Sequence, residues 1–107
     1  MTCVLVRDLI FSSRITATAR ALGVEVKMLR DPAGLAVETQ SRLIADLNQP
    51  GVIDAAAEWR KRTGGEVIGF VSHVDADTIA RARAAGLDRV LARSAFVESL
   101  EQILSAG

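Results

Sequence analysis

The sequence predicts an α/β fold: a parallel β-sheet with helices on both faces. Three observations carry this. Short apolar runs alternate with helix-period stripes five times along the 107 residues. Parallel strands joined by right-handed helical crossovers are the ordinary outcome of such alternation. Half of the residues are apolar, enough for an ordinary core without metals or disulfides. The connections are short, and no linker or low-complexity stretch divides the chain, so residues 1–107 are read as a single domain.

The elements follow in order. Residues 3–6, "CVLV", form a short apolar run of the kind found in fully buried strands. Phe11, Ile15, Ala19 and Leu22 then recur at helical spacing, and Gly23 is a suitable stop. "VEVKML" (24–29) begins with period-two alternation, which suggests a strand nearer a sheet edge. Asp31-Pro32 is a cap and first-turn pair opening a short helix to about residue 40. "LIADL" (43–47) is the third strand. Asp54 is the expected cap of a helix over 55–62, which closes on Arg60-Lys61-Arg62, basic residues that complement the helix dipole. "VIGFV" (67–71) is the fourth strand, and Asp75 or Asp77 starts a helix closed by Gly86. "RVLA" (89–92) is the fifth. Ser94 is the expected cap of a last helix with the stripe Val97, Leu100, Ile103 and Leu104.

Composition excludes several classes of function. Thirteen basic residues balance thirteen acids, a poor basis for electrostatic binding to nucleic acid. No apolar run is long enough to span a membrane. The start, "MTCVLVRDL", lacks a basic n-region and a small-residue cleavage site, so the expected compartment is the cytoplasm. The single Cys3 lies in an apolar strand and reads as a small hydrophobe.

In open sheets of this type, function gathers at the carboxyl ends of the strands. Arg7-Asp8 follow strand one, Asp46 ends strand three, Ser72-His73 follow strand four and Arg93-Ser94 follow strand five. Acids, arginines and hydroxyls thus converge on one rim. His73 has no second histidine with which to form a metal pair, and reads as a solvated loop residue. Trp59, the sole tryptophan, is expected to cover the core or the sheet edge. Gly64-Gly65 end a helix where phosphate loops begin one.

These segments together resemble the receiver domain of bacterial response regulators, the CheY-like family. "VLVRDLIFSSRI" is similar to that family's first strand with its acid pair. "LIADLNQPG" is similar to its third strand, with the phospho-accepting aspartate and a Pro-Gly turn. "VIGFVSHVDAD" and "RARAAGLDRVLARSAF" are similar to the fourth strand with its hydroxyl residue and to the fifth with its basic residue. The resemblance implies a flavodoxin-like doubly wound sheet of five parallel strands in the order 2-1-3-4-5. It implies Asp46 as phospho-acceptor, Asp8 as an acid of the metal-binding pair, Ser72 as the hydroxyl that follows the phosphoryl group, and Arg93 at the position of the conserved lysine. Partners on this reading are a histidine kinase or an output protein.

Departures from the pattern point to a degenerate receiver, or pseudo-receiver. Arg7 stands where the first metal-binding acid is expected, Arg93 replaces a lysine, Ser94 a proline, and Val90 a switching aromatic. Asp8 and Asp46 would face Arg7 and Arg93, so no net negative charge calls for Mg²⁺, and no cofactor is expected. Without the metal, aspartyl phosphorylation loses roughly a thousandfold in rate or more. The first expectation is therefore a non-enzymatic signalling module that works through protein contacts. In it Asp46 acts as an anchor paired with arginine and with backbone N–H groups. A phosphorylatable receiver in a phosphorelay is the alternative. A nucleotide-binding enzyme is disfavoured, because "RDLIFSS" offers no glycine after strand one. Ile10, Phe11 and Phe96 are expected to form an apolar contact patch for a protein partner or a second copy of the chain. At least one of them should be exposed, because adjacent helical positions cannot all point inward.

Overall fold

The computed structural model describes residues 1–71 and 75–106. Five strands form one sheet: β1 (Thr2–Leu5), β2 (Val26–Leu29), β3 (Arg42–Asp46), β4 (Glu66–Val71) and β5 (Arg89–Ala92). The order is β2-β1-β3-β4-β5, and all four pairings are parallel. This is the doubly wound sheet the sequence predicts, with the alternating segment at β2 placed on an edge. Among the described residues five α-helices accompany it: α1 (Leu9–Leu22), α2 (Val52–Thr63), α3 (Ala76–Ala84), α4 (Arg93–Glu98) and α5 (Leu100–Ser105).

Alternation along the central strands sorts the core into two layers. Cys3, Leu5, Leu43, Ala45, Val67 and Val71 pack with Leu35, Trp59 and Ala82 on one face. Val4, Ile44, Ile68 and Phe70 pack with Phe11, Ile15, Phe96 and Leu104 on the other. The thiol of Cys3 is pushed up to about 11, chiefly by burial. No helix among the described residues is long and apolar enough to cross a membrane.

Several boundaries differ from the sequence reading. The segment after β2 is a 3-10 helix over Pro32–Val37 and stops short of residue 40. Asp31 caps it as expected, accepting a hydrogen bond from the N–H of Ala33. Helix α2 begins earlier than the acid Asp54 suggests. Its first residue is Val52, and Gly51 precedes it in the left-handed region, at φ 81°, where a side chain would be strained. Asp54 lies inside the first turn. Ser94 likewise lies within α4, whose preceding residue is Ala92, and the last helix is interrupted at Ser99.

Candidate functional site

The rim is assembled from the ends of β1, β3 and β5. Residue Asp8 caps α1: its Oδ1 accepts hydrogen bonds from the N–H groups of Ile10 at 3.0 Å and Phe11 at 3.2 Å. A carboxylate there satisfies orphan helix donors and favours the helix dipole. Its neighbour Arg7 is exposed. Asp46, the last residue of β3, is half-buried. One of its oxygens accepts the N–H of Asn48 at 3.0 Å. The turn after it closes through Gln49, whose N–H donates to the Asp46 carbonyl and whose carbonyl accepts from Val52. The acid at the strand tip thus anchors the turn that launches α2.

Electrostatics at Asp46 are mixed. Burial pushes its carboxyl above the ordinary 3.8, the Asn48 N–H and the Arg93 charge oppose that, and the Asp8 charge adds to it. The arginine pairing expected from charge balance does not form. Among the described residues, no ion pair joins Asp8 or Asp46 to Arg7 or Arg93. Instead the Arg93 guanidinium lies over the Phe11 ring, 4.1 Å from its centre. Such stacking suits a planar cation and holds its charge beside, not on, the carboxylate. Among the described residues, no group of three or more His, Cys, Asp or Glu side chains comes together in a way that could hold a metal ion. Ser72 and His73 lie outside the described residues.

The contact patch needs correction. Phe11 and Phe96 are buried, at 2% and 0% exposure, and only Ile10, at 84%, faces solvent. The reason is a three-ring cluster. Phe70 from β4 lies 4.9 Å from Phe11 and 4.6 Å from Phe96, centre to centre, within the range of favourable aromatic pairs. Phe11 and Phe96 complete the core, and Arg93 covers the first of them. Leu9, 62% exposed, takes their place beside Ile10.

Sequence reasoning did not single out Asn48 or the stacking of Arg93 on Phe11. It also missed a groove of about 360 Å³ between the 3-10 segment and α2, lined by Pro32, Ala33, Leu35, Ala36, Ala55 and Trp59 among others. Small residues facing each other, Ala33 and Ala36 against Ala55, were the available signal.

No protein-family model and no curated protein sequence matches the chain. Solved structures do. The receiver domain of the Francisella response regulator 1452 superposes with a TM-score of 0.80 at 15% identity, over 98% of this chain and 93% of that one. A response regulator from Burkholderia pseudomallei, solved with a phosphorylated aspartic acid, calcium and citrate, gives 0.78 at 17%, over 96% of this chain and 65% of that one. A de novo designed Rossmann 2x3 protein gives 0.80 at 15%, over 99% and 90%. A designed protein superposes as well as a natural regulator, so the superposition speaks for architecture, and function must be argued from the rim. In strand order, helix placement and extent, the chain has the CheY-like fold of response-regulator receiver domains.

Proposed function

We propose that the chain is a receiver-like signalling module that acts through protein contacts and is not efficiently phosphorylated with Mg²⁺. The observation that carries this is the donor set at the rim. Asp8 holds the first backbone N–H groups of α1, Arg7 stands beside it, and Asp46 remains as a single half-buried carboxylate. Mg²⁺ demands oxygen ligands in near-octahedral array and is usually held by carboxylates with waters. A rim with two acids, one of them engaged by a helix terminus, beside two guanidinium groups does not fit that requirement. Phosphoryl transfer without the ion lacks the charge neutralisation that makes it fast. The remaining role for Asp46 is to anchor the turn into α2 through Asn48.

The contact surface in this reading is Leu9 and Ile10, exposed at the start of α1 beside the acid rim. A protein partner in a signalling pathway, or a second copy of the chain, would cover them. The expected setting is the cytoplasm. Once a partner is found, Ile10→Ser should weaken its binding while leaving stability within about 0.5 kcal/mol, as surface substitutions do.

A phosphorylatable receiver is the second reading, favoured by the position of Asp46 at the tip of β3 under the influence of Arg93. One experiment separates the two. The purified chain is incubated with acetyl phosphate, with and without Mg²⁺, and its intact mass is followed. An unchanged mass under both conditions is expected. A Mg²⁺-dependent gain of one phosphoryl group, lost in Asp46→Asn, would establish the second reading in place of the first.

A further inference from the structure

Another groove, between α1 and the edge strand β2, has a charge pattern of its own. It holds about 390 Å³, at the small end of ligand pockets, roughly 300–1,000 Å³. One wall is a stripe of α1 at helical spacing, running from Leu9 through Ser12 and Thr16 to Arg20. Met28 and Arg30 stand on the β2 side.

The middle of this groove is apolar in effect. The Ser12 hydroxyl donates to the Val6 carbonyl at 3.2 Å, and the Thr16 hydroxyl to the Ser12 carbonyl at 2.9 Å, so neither proton is left for a ligand. Ala17 and the adaptable thioether of Met28 complete that stretch, and Ser13, the remaining hydroxyl of the lining, is exposed. The two ends are cationic. Strands β1 and β2 are parallel and α1 runs back between them. Arg20, in the last turn of α1, therefore lies towards the start of β2, while Arg30 follows its end. The stripe from Leu9 to Arg20 rises about 16 Å along the helix axis, so the two side chains enter the groove from opposite ends. Both arginines are exposed and within reach of a bound molecule. No acid lines the groove, and none lies on α1 between Leu9 and Leu22. Among the described residues, neither arginine belongs to an ion pair. Cations in a groove wall with no acid beside them leave a positive potential that an anion neutralises.

We propose that the groove between α1 and β2 is a binding site for a small, linear, apolar molecule carrying a carboxylate at each end, one engaged by Arg20 and the other by Arg30. The guanidinium fork matches carboxylate geometry, and the apolar middle supplies the burial. This site shares only Leu9 with the contact surface proposed above and needs no protein partner.

The probe is decanedioate. The isotope-labelled chain is titrated with it at low ionic strength, and the backbone amide signals from Ser12 to Ala17 and at Met28 are followed. They should shift saturably. Decanoate, with one carboxylate, should bind roughly fivefold more weakly, the weight of one exposed ion pair. Succinate is too short to reach both cations, decanediol is neutral and diaminodecane is dicationic. None of these three should give a saturable shift over the same concentrations. Arg20→Gln and Arg30→Gln each remove one cation at an exposed position. In either variant decanedioate should lose its advantage over decanoate, because one cation remains, and the double variant should respond saturably to neither acid. All variants should retain the dispersed amide spectrum of the folded chain. The proposal fails if decanedioate gives no saturable shift in the parent. It fails equally if decanediol or diaminodecane binds as well as decanedioate, or if either folded single variant keeps the preference for the dianion.

Discussion

At Asp46 a charged group stands where burial disfavours charge. The folded protein holds its carboxyl above the ordinary 3.8, with desolvation the largest cause. A raised pKa in the folded state means that this residue's contribution to stability is fully present at pH values below the unfolded pKa. It is lost as pH rises through the raised folded value. Asp46→Asn removes that penalty and keeps an oxygen for the Asn48 N–H. Its melting temperature at neutral pH should therefore exceed that of the parent, and the gap should close as pH is lowered below 3.8. Thermal melts of both chains across that interval check it, and an unchanged or reversed gap would show that the Asn48 hydrogen bond outweighs desolvation. The position of Asp46 at the rim was legible in the sequence, because strand ends follow from topology. The direction taken by Arg93 was not. Charge balance favours the carboxylate, whereas the Phe11 ring, more than eighty positions away in the chain, captures the guanidinium.

Elements show the same division between local and distant causes. Caps formed by near neighbours were readable: Gly23 ends α1 in the left-handed region, and Asp31 caps the 3-10 turn. Asp54 and Ser94 are good caps by residue type, yet α2 starts after Gly51 and α4 after Ala92, because packing against the sheet fixes where each helix begins. Phe11 and Phe96 were expected in a contact patch from their place at the rim, with at least one of them or Ile10 exposed. Their burial depends on Phe70, contributed by a third element. Strand β4 carries a further constraint that composition hides. A Cβ at Gly69 would come within 2.5 Å of Leu47 Cδ1, just beyond Asp46. Gly69→Ala should destabilise the chain by about 1–3 kcal/mol, the usual cost of overpacking. The urea midpoint measures it, and a loss below about 0.5 kcal/mol would mean that Leu47 moves aside freely.

For the molecule as a whole, the parallel sheet with helices on both faces followed from alternation and its strand order from the receiver-domain resemblance, while its dependence on acid comes from pairs distant in sequence. Asp88 accepts two hydrogen bonds from Arg60 and one from the N–H of Val67, which ties α2 and β4 to the start of β5. Arg60 holds its carboxyl below 3.8, and Lys27 holds that of Glu38 below 4.5. Groups depressed in the folded state add stability above their unfolded pKa and lose it as pH falls through the lower folded value. Stability should therefore drop on acidification below these ordinary values, and Asp88→Asn should flatten that limb. Urea midpoints against pH test this, and an identical acid limb in the variant would exclude Asp88 as a contributor. The two-layered core has a consequence for synthesis. On the Trp59 face the last buried side chain is Leu87, whereas the Phe11 face waits for Leu104. At roughly 5–20 residues per second, the ribosome delivers those closing residues about one to three seconds later. A chain stopped short of residue 100 would carry one finished side and one bare side, and the bare side is what a chaperone would meet first.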